Sequence, residues 1–114
     1  MKSQIRDQEN IRIIELSGKI TIGSGDVKLR ELINTAVDEG QKNIILNLGS
    51  VSAIDSSGIG EMVACYTTVT NRGGQLKLMK LSPKINDILQ VTQLITVFDV
   101  FDNEEEAIAN ISGK

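Results

Sequence analysis

Apolar positions along the chain change their period from segment to segment, and each change marks a structural element. Residues 11–16 (Ile-Arg-Ile-Ile-Glu-Leu) are β-branched and partly alternating, which predicts a strand ending at Gly18. The polar stretch Asp7-Gln8-Glu9-Asn10 before it reads as a hairpin turn and makes residues 3–6 its partner strand. After a Gly-containing loop from Ile20 to Gly25, Leu29, Leu32, Ile33, Ala36 and Val37 fall on one helical face. Ser24 or Asp26 is placed to cap that helix, and Gly40 suits the position after its end.

Residues 43–48 (Asn-Ile-Ile-Leu-Asn-Leu) form the nearly continuous apolar run of a strand covered on both faces. A turn over 51–57 leads into a second helix with Ile59, Met62, Val63, Tyr66 and Val69 inward, ended by Gly73-Gly74. Leu76–Met79 gives another strand, and Ser82-Pro83 opens a helix with Ile85, Ile88 and Leu89 as its apolar face. Ile95 to Val100 predicts a final strand. Asp102 with Glu105 resembles a capping box for a last short helix. The order β-β-α-β-α-β-α-β-α implies an α/β fold: a hairpin, then parallel crossovers in a mixed sheet of four to five strands with about four helices.

A length of 114 residues fits one domain, 1–114. Aromatic residues make up only 3%, so the core is aliphatic and base-stacking surface is scarce. The net charge is −3 with basic residues scattered, which argues against nucleic acid and anionic membrane as direct partners. The chain has no His, which excludes His-based triads and His-ligated metals. One cysteine, Cys65, and no apolar leader or spanning run point to a cytoplasmic location.

The segment Ile54-Asp55-Ser56-Ser57-Gly58-Ile59-Gly60 joins a central strand to a helix. Asp, Ser and Gly serve the unpaired N–H groups of a helix start, and a good cap is the plain reading. The same geometry presents a hydroxyl at the carboxyl end of a parallel strand, where open α/β sheets carry their sites. A phosphoryl group there gains about −1.5 to −2 charge without unfolding the domain. The loop contains no Lys or His base, no Gly-x-Ser-x-Gly elbow and no Gly-Lys-Ser/Thr, so no catalytic residue, cofactor or metal ligand is expected.

This segment, with Leu16-Ser17-Gly18, the strand 43–48, Arg72–Leu78 and Ser82-Pro83, resembles STAS domains, in particular the single-domain bacterial anti-sigma factor antagonists. That resemblance covers nearly the whole chain. It implies a non-enzymatic switch whose unphosphorylated form binds an anti-sigma factor serine kinase of the histidine-kinase ATPase type and frees a sigma factor. It further implies a phosphoacceptor at Ser56, with Ser57 as the alternative, reset by a PP2C-like phosphatase. Asp55, Ser56, Ser57, Gly58, Ile59 and Glu61 are the implied partner-binding residues. Gly58 would admit a partner's backbone or relieve crowding, and Glu61 and Thr68 would lie on an exposed helix side. Thr21 stands where many members carry an acid. STAS-like domains also serve as accessory subunits of lipid-transport ATPases or of stress-sensing scaffolds, a second class of function.

Overall fold

In the computed structural model, residues 1–112 are described. Strands β1 (Lys2–Gln8), β2 (Ile11–Ile20), β3 (Asn43–Ile54), β4 (Gln75–Met79) and β5 (Asp99–Phe101) alternate, after the first hairpin, with helices α1 (Gly25–Asp38), α2 (Ser56–Asn71), α3 (Pro83–Val91) and α4 (Glu104–Ser112). The sheet order is β1-β2-β3-β4-β5, with β1 antiparallel to β2 and every other pair parallel. The mixed α/β sheet expected from the sequence is therefore present, with five strands and four helices among the described residues.

Side-chain alternation divides the core between the two sheet faces. On one face Ile14, Leu16 and Ile20 of β2, and Ile44, Leu46 and Leu48 of β3, meet α1 through Leu29, Ile33 and Ala36 and α2 through Met62, Cys65 and Val69. Ile85 and Leu89 of α3 complete this layer. Ile11, Ile13, Ile45 and Met79 point the other way and are covered by Ala107 and Ile111 of α4. The apolar run in β3 is thus buried on both faces. In the larger layer Phe98 is buried and meets Tyr66 edge-on, ring centroids 5.4 Å apart.

The first strand is longer than the expected residues 3–6, because Asp7 and Gln8 pair with Arg12 and Ile11 and leave only Glu9-Asn10 as the hairpin turn. Three other boundaries differ from the sequence reading. First, β2 does not stop at Gly18. It passes through that residue at φ +99 and runs to Ile20, with register shifts between Glu15 and Ser17 and between Gly18 and Lys19. β3 follows it to Ile54, because Val51 and Ile54 still point into the core, so residues 51–54 are strand where a turn is expected.

Second, the apolar stretch 95–100 is mostly not strand. Gln93 turns left-handed at φ 63, Leu94–Thr96 curls into a 3₁₀ turn, and only Asp99–Phe101 pairs, with Lys77–Met79. Third, the last helix is capped one residue later than expected. Phe101 still pairs with Met79 of β4, and its carbonyl accepts the N–H of Lys80 just beyond that strand, so Asn103, whose Oδ1 accepts the Glu106 N–H at 2.9 Å, is the cap. Ser82 caps α3 as expected, accepting from the Ile85 N–H, with Pro83 at the first helical position. At α1 the cap residue is Ser24, which makes no side-chain bond; Asp26 accepts from the Val27 N–H instead.

Candidate functional site at the start of α2

The lengthened β2 and β3 carry the chain to one corner of the carboxyl edge, where α1 and α2 both begin. Glycine makes this convergence possible. A Cβ on Gly58 would lie 2.0 Å from the Ile20 carbonyl oxygen and 2.8 Å from Ile54 Cγ1. A Cβ on Gly25 would lie 2.2 Å from the Lys19 oxygen. The two helix starts press on consecutive residues of one strand, and neither tolerates a side chain. Gly58 is therefore buried against β2 and meets this chain's own backbone.

Asp55 takes an extended conformation (φ −109, ψ −176) and caps α2. Its Oδ1 accepts the Gly58 N–H at 2.9 Å, and its Oδ2 accepts the Ile22 N–H at 3.0 Å. One carboxylate thus ties the helix start to the loop after β2. Both bonds favour the charged form, the Ile22 N–H most and the Gly58 N–H next, and hold the Asp55 carboxyl below the usual carboxylate range. A carboxylate held in this way is a weak base, which argues against its drawing a proton from the neighbouring hydroxyl.

Ser56 is the first residue of α2 and its side chain is exposed; Ser57 is partly covered. Ile59 is half-buried against the larger core layer. The structure thus brings Asp55, Ser56 and Ser57 together at one mouth, with Gly58 and Ile59 forming its floor. Glu61 is not part of this surface. Its side chain is 10% exposed, with Oε1 accepting Arg30 Nε at 3.0 Å and Arg30 Nη2 at 2.8 Å, and Oε2 accepting from the Cys65 thiol. An expected docking carboxylate is instead a tie between α1 and α2. Thr68 is half-buried. Thr21 sits in the loop beside Asp55, where its carbonyl accepts the Asp26 N–H.

The sequence reading missed Ile22. It is 71% exposed at the tip of the loop that Asp55 holds. Its one signal is an isoleucine set between Thr21 and Gly23, outside any periodic segment. Among the described residues no cluster of three or more His, Cys, Asp or Glu could hold a metal ion, and no helix is long and apolar enough to cross a membrane.

Known proteins of the same pattern extend along most of the chain. The STAS domain family model matches residues 2–107. The anti-sigma F factor antagonist of Paenibacillus polymyxa is 23% identical over 112 residues, covering 97% of this chain and 95% of that protein. The anti-sigma-B factor antagonist of Bacillus subtilis (strain 168) is 29% identical over 104 residues, covering 91% and 94%. Among solved structures, an anti-sigma factor antagonist from Mycobacterium paratuberculosis superposes with a TM-score of 0.86 at 16% identity, covering 97% of this chain and 93% of that one. The phosphorylated form of the Bacillus cell fate determinant SpoIIAA superposes at 0.74 with 26% identity, covering 96% and 99%.

Proposed function

The chain belongs to the STAS domain family, and from that premise we propose that it is an anti-sigma factor antagonist switched by phosphorylation of Ser56. Residues 1–114 act as one STAS domain in the cytosol. The unphosphorylated form binds a kinase-type anti-sigma factor of the histidine-kinase ATPase class and displaces the sigma factor. Within that complex the Ser56 Oγ attacks the γ-phosphorus of ATP. The new O–P bond replaces the bond to ADP, and the hydroxyl proton leaves to a base of the kinase. A PP2C-like phosphatase hydrolyses the ester and restores binding.

The observation that carries this reading is an exposed Ser56 hydroxyl on the first turn of a helix whose cap is already made by another residue. Because Asp55 binds N–H groups with both oxygens, the loop keeps its shape without help from the serine. The names of the relatives from Paenibacillus polymyxa and Bacillus subtilis support the same role.

The test starts from the partner that co-purifies with tagged wild-type protein from its native cells. With that partner isolated, Ser56→Ala keeps its affinity and accepts no phosphoryl group by intact-mass measurement. Ser57→Ala still accepts one. Ser56→Asp places a like charge in the interface and weakens binding by at least ~100-fold. A Ser56→Asp variant that binds as tightly as wild type removes the switch, and a membrane ATPase as the main partner removes the antagonist role in favour of an accessory subunit.

A further inference from the structure

Among the described residues, strand β1 leaves one long edge of the sheet unpaired. All of its residues but Ser3 are exposed, its pairing with β2 runs without a register shift from Lys2 to Gln8, and it contains no proline. Natural edge strands of this length are normally blunted by a bulge, a proline or free charges. Here two of the three charges are engaged within the chain: Arg6 by Glu104 of α4, and Asp7 by Arg12 of β2 at 2.8 Å. At the centre of the edge Ile5 is 49% exposed beside a hollow of about 200 Å³ lined by Lys28, Glu31, Leu32 and Thr35.

We infer that β1 pairs antiparallel with β1 of a second copy, joining two sheets into one of ten strands around a two-fold axis at Ile5. The register argument comes from the strand itself. A two-fold axis places one residue opposite its own copy. Centring on Ile5 pairs all seven residues and sets Lys2 opposite Gln8, Ser3 opposite Asp7 and Gln4 opposite Arg6. No like charges face each other in that register. Centring on Gln4 puts Arg6 opposite Lys2 twice, and centring on Arg6 sets that guanidinium against itself. Like charges directly opposite are destabilising, so the only one of these three registers that uses the whole edge is also the one without repulsion.

The two Ile5 side chains then cover each other against Leu32. The hollow's rim brings one charge of each sign, Lys28 and Glu31, so two copies meet without a net like-charge surface. Because α2 packs over β3 and β4, this pairing leaves both Ser56 hydroxyls free, and it stands independently of the proposed switch.

Sedimentation velocity on the full chain at ~100 µM, where a dimer of micromolar affinity predominates, tests the inference. The wild type is expected at twice the 12.4 kDa chain mass. Ile5→Lys sets two ammonium groups on the axis and is expected to sediment as a monomer with unchanged circular dichroism. Ser3→Pro is expected to do the same: counting alternately from the two-residue turn at Glu9-Asn10, the Ser3 N–H faces away from β2, so proline there removes a donor of the free edge. A wild-type monomer at this concentration overturns the inference and leaves the edge to a strand of another protein. A wild-type dimer that survives Ile5→Lys overturns it in favour of another face.

Discussion

Replacing Gly58 by alanine adds one methyl group at the place where the whole site is held together. The added carbon would stand 2.0 Å from the Ile20 oxygen, roughly 1.4 Å inside ordinary contact, and 2.8 Å from Ile54 Cγ1. The carbonyl is not free to swing away, because Ile20 pairs with Ile54 of β3 and its oxygen accepts the Asp55 N–H at 3.4 Å. The start of α2 has to lift instead. Overpacking of this kind costs about 1–3 kcal/mol, and a rigid backbone neighbour puts Gly58 at the upper end. Removing a helical glycine returns about 0.5–1 kcal/mol, which leaves a net loss of about 2 kcal/mol. For a chain of this size that lowers Tm by about 8 °C. Gly60 is the control: it is exposed, in the same helix, and a Cβ there meets nothing within 4 Å. Gly60→Ala is therefore expected to raise Tm by a few degrees. Thermal unfolding followed by circular dichroism measures both variants against wild type. A Gly58→Ala protein that melts at or above the wild-type temperature would refute the claim that α2 is pinned to β2 through this residue.

Two further outcomes follow from titratable groups. Asp55 has its carboxyl lowered by the Ile22 and Gly58 N–H groups, so its contribution to stability is complete above the ordinary carboxylate range and is lost as pH falls through the depressed folded value. In an NMR titration the Ile22 and Gly58 amide signals should hold their positions until the other carboxylates have begun to protonate; a shift at or above the ordinary carboxylate value contradicts the double bond. The Cys65 thiol is pushed up to about 12, by burial first and then by the Glu61 carboxylate. Native protein should therefore react with a disulfide reagent at pH 8 only on unfolding, and a rate like that of a free thiol would show that the tie between α1 and α2 opens readily.

What the sequence disclosed and what it concealed divide along a physical line. Local rules worked where a local preference and the tertiary environment agreed: Ser82-Pro83 starts α3, and Ile44, Leu46 and Leu48 mark a strand with a covered face. They failed where partners distant in sequence decide. Residues 51–54 look like a turn because Ser52 and Ala53 carry no strand signal, yet β2 beside them continues and supplies the pairing. The run 95–100 looks like a strand because it is apolar, yet Phe98 is spent on contact with Tyr66 in the core and only the end of the run reaches β4. At the site, Ser56 and Asp55 were visible as cap residues. Glu61 was misplaced because helical periodicity does not report that Arg30 of α1 lies across from it. Ile22 was missed because its role depends on a backbone N–H, which every residue has.

The arrangement at α2 also bears on how a phosphoryl group would act. A dianion on Ser56 would ordinarily be drawn to the free N–H groups of its helix. Here the Gly58 N–H is already taken by Asp55, and the carboxylate that takes it is itself an anion one residue away. Arg30, the guanidinium of the α1–α2 interface, is committed to Glu61. The added charge would therefore draw nothing from the Gly58 N–H or from Arg30, and would stand near the exposed Ile22. On the proposed reading, phosphorylation would then act by repelling a docked protein and not by reshaping this one. Two anions crowd a mouth flanked by an apolar side chain, and a partner that covers Ile22 has to desolvate both.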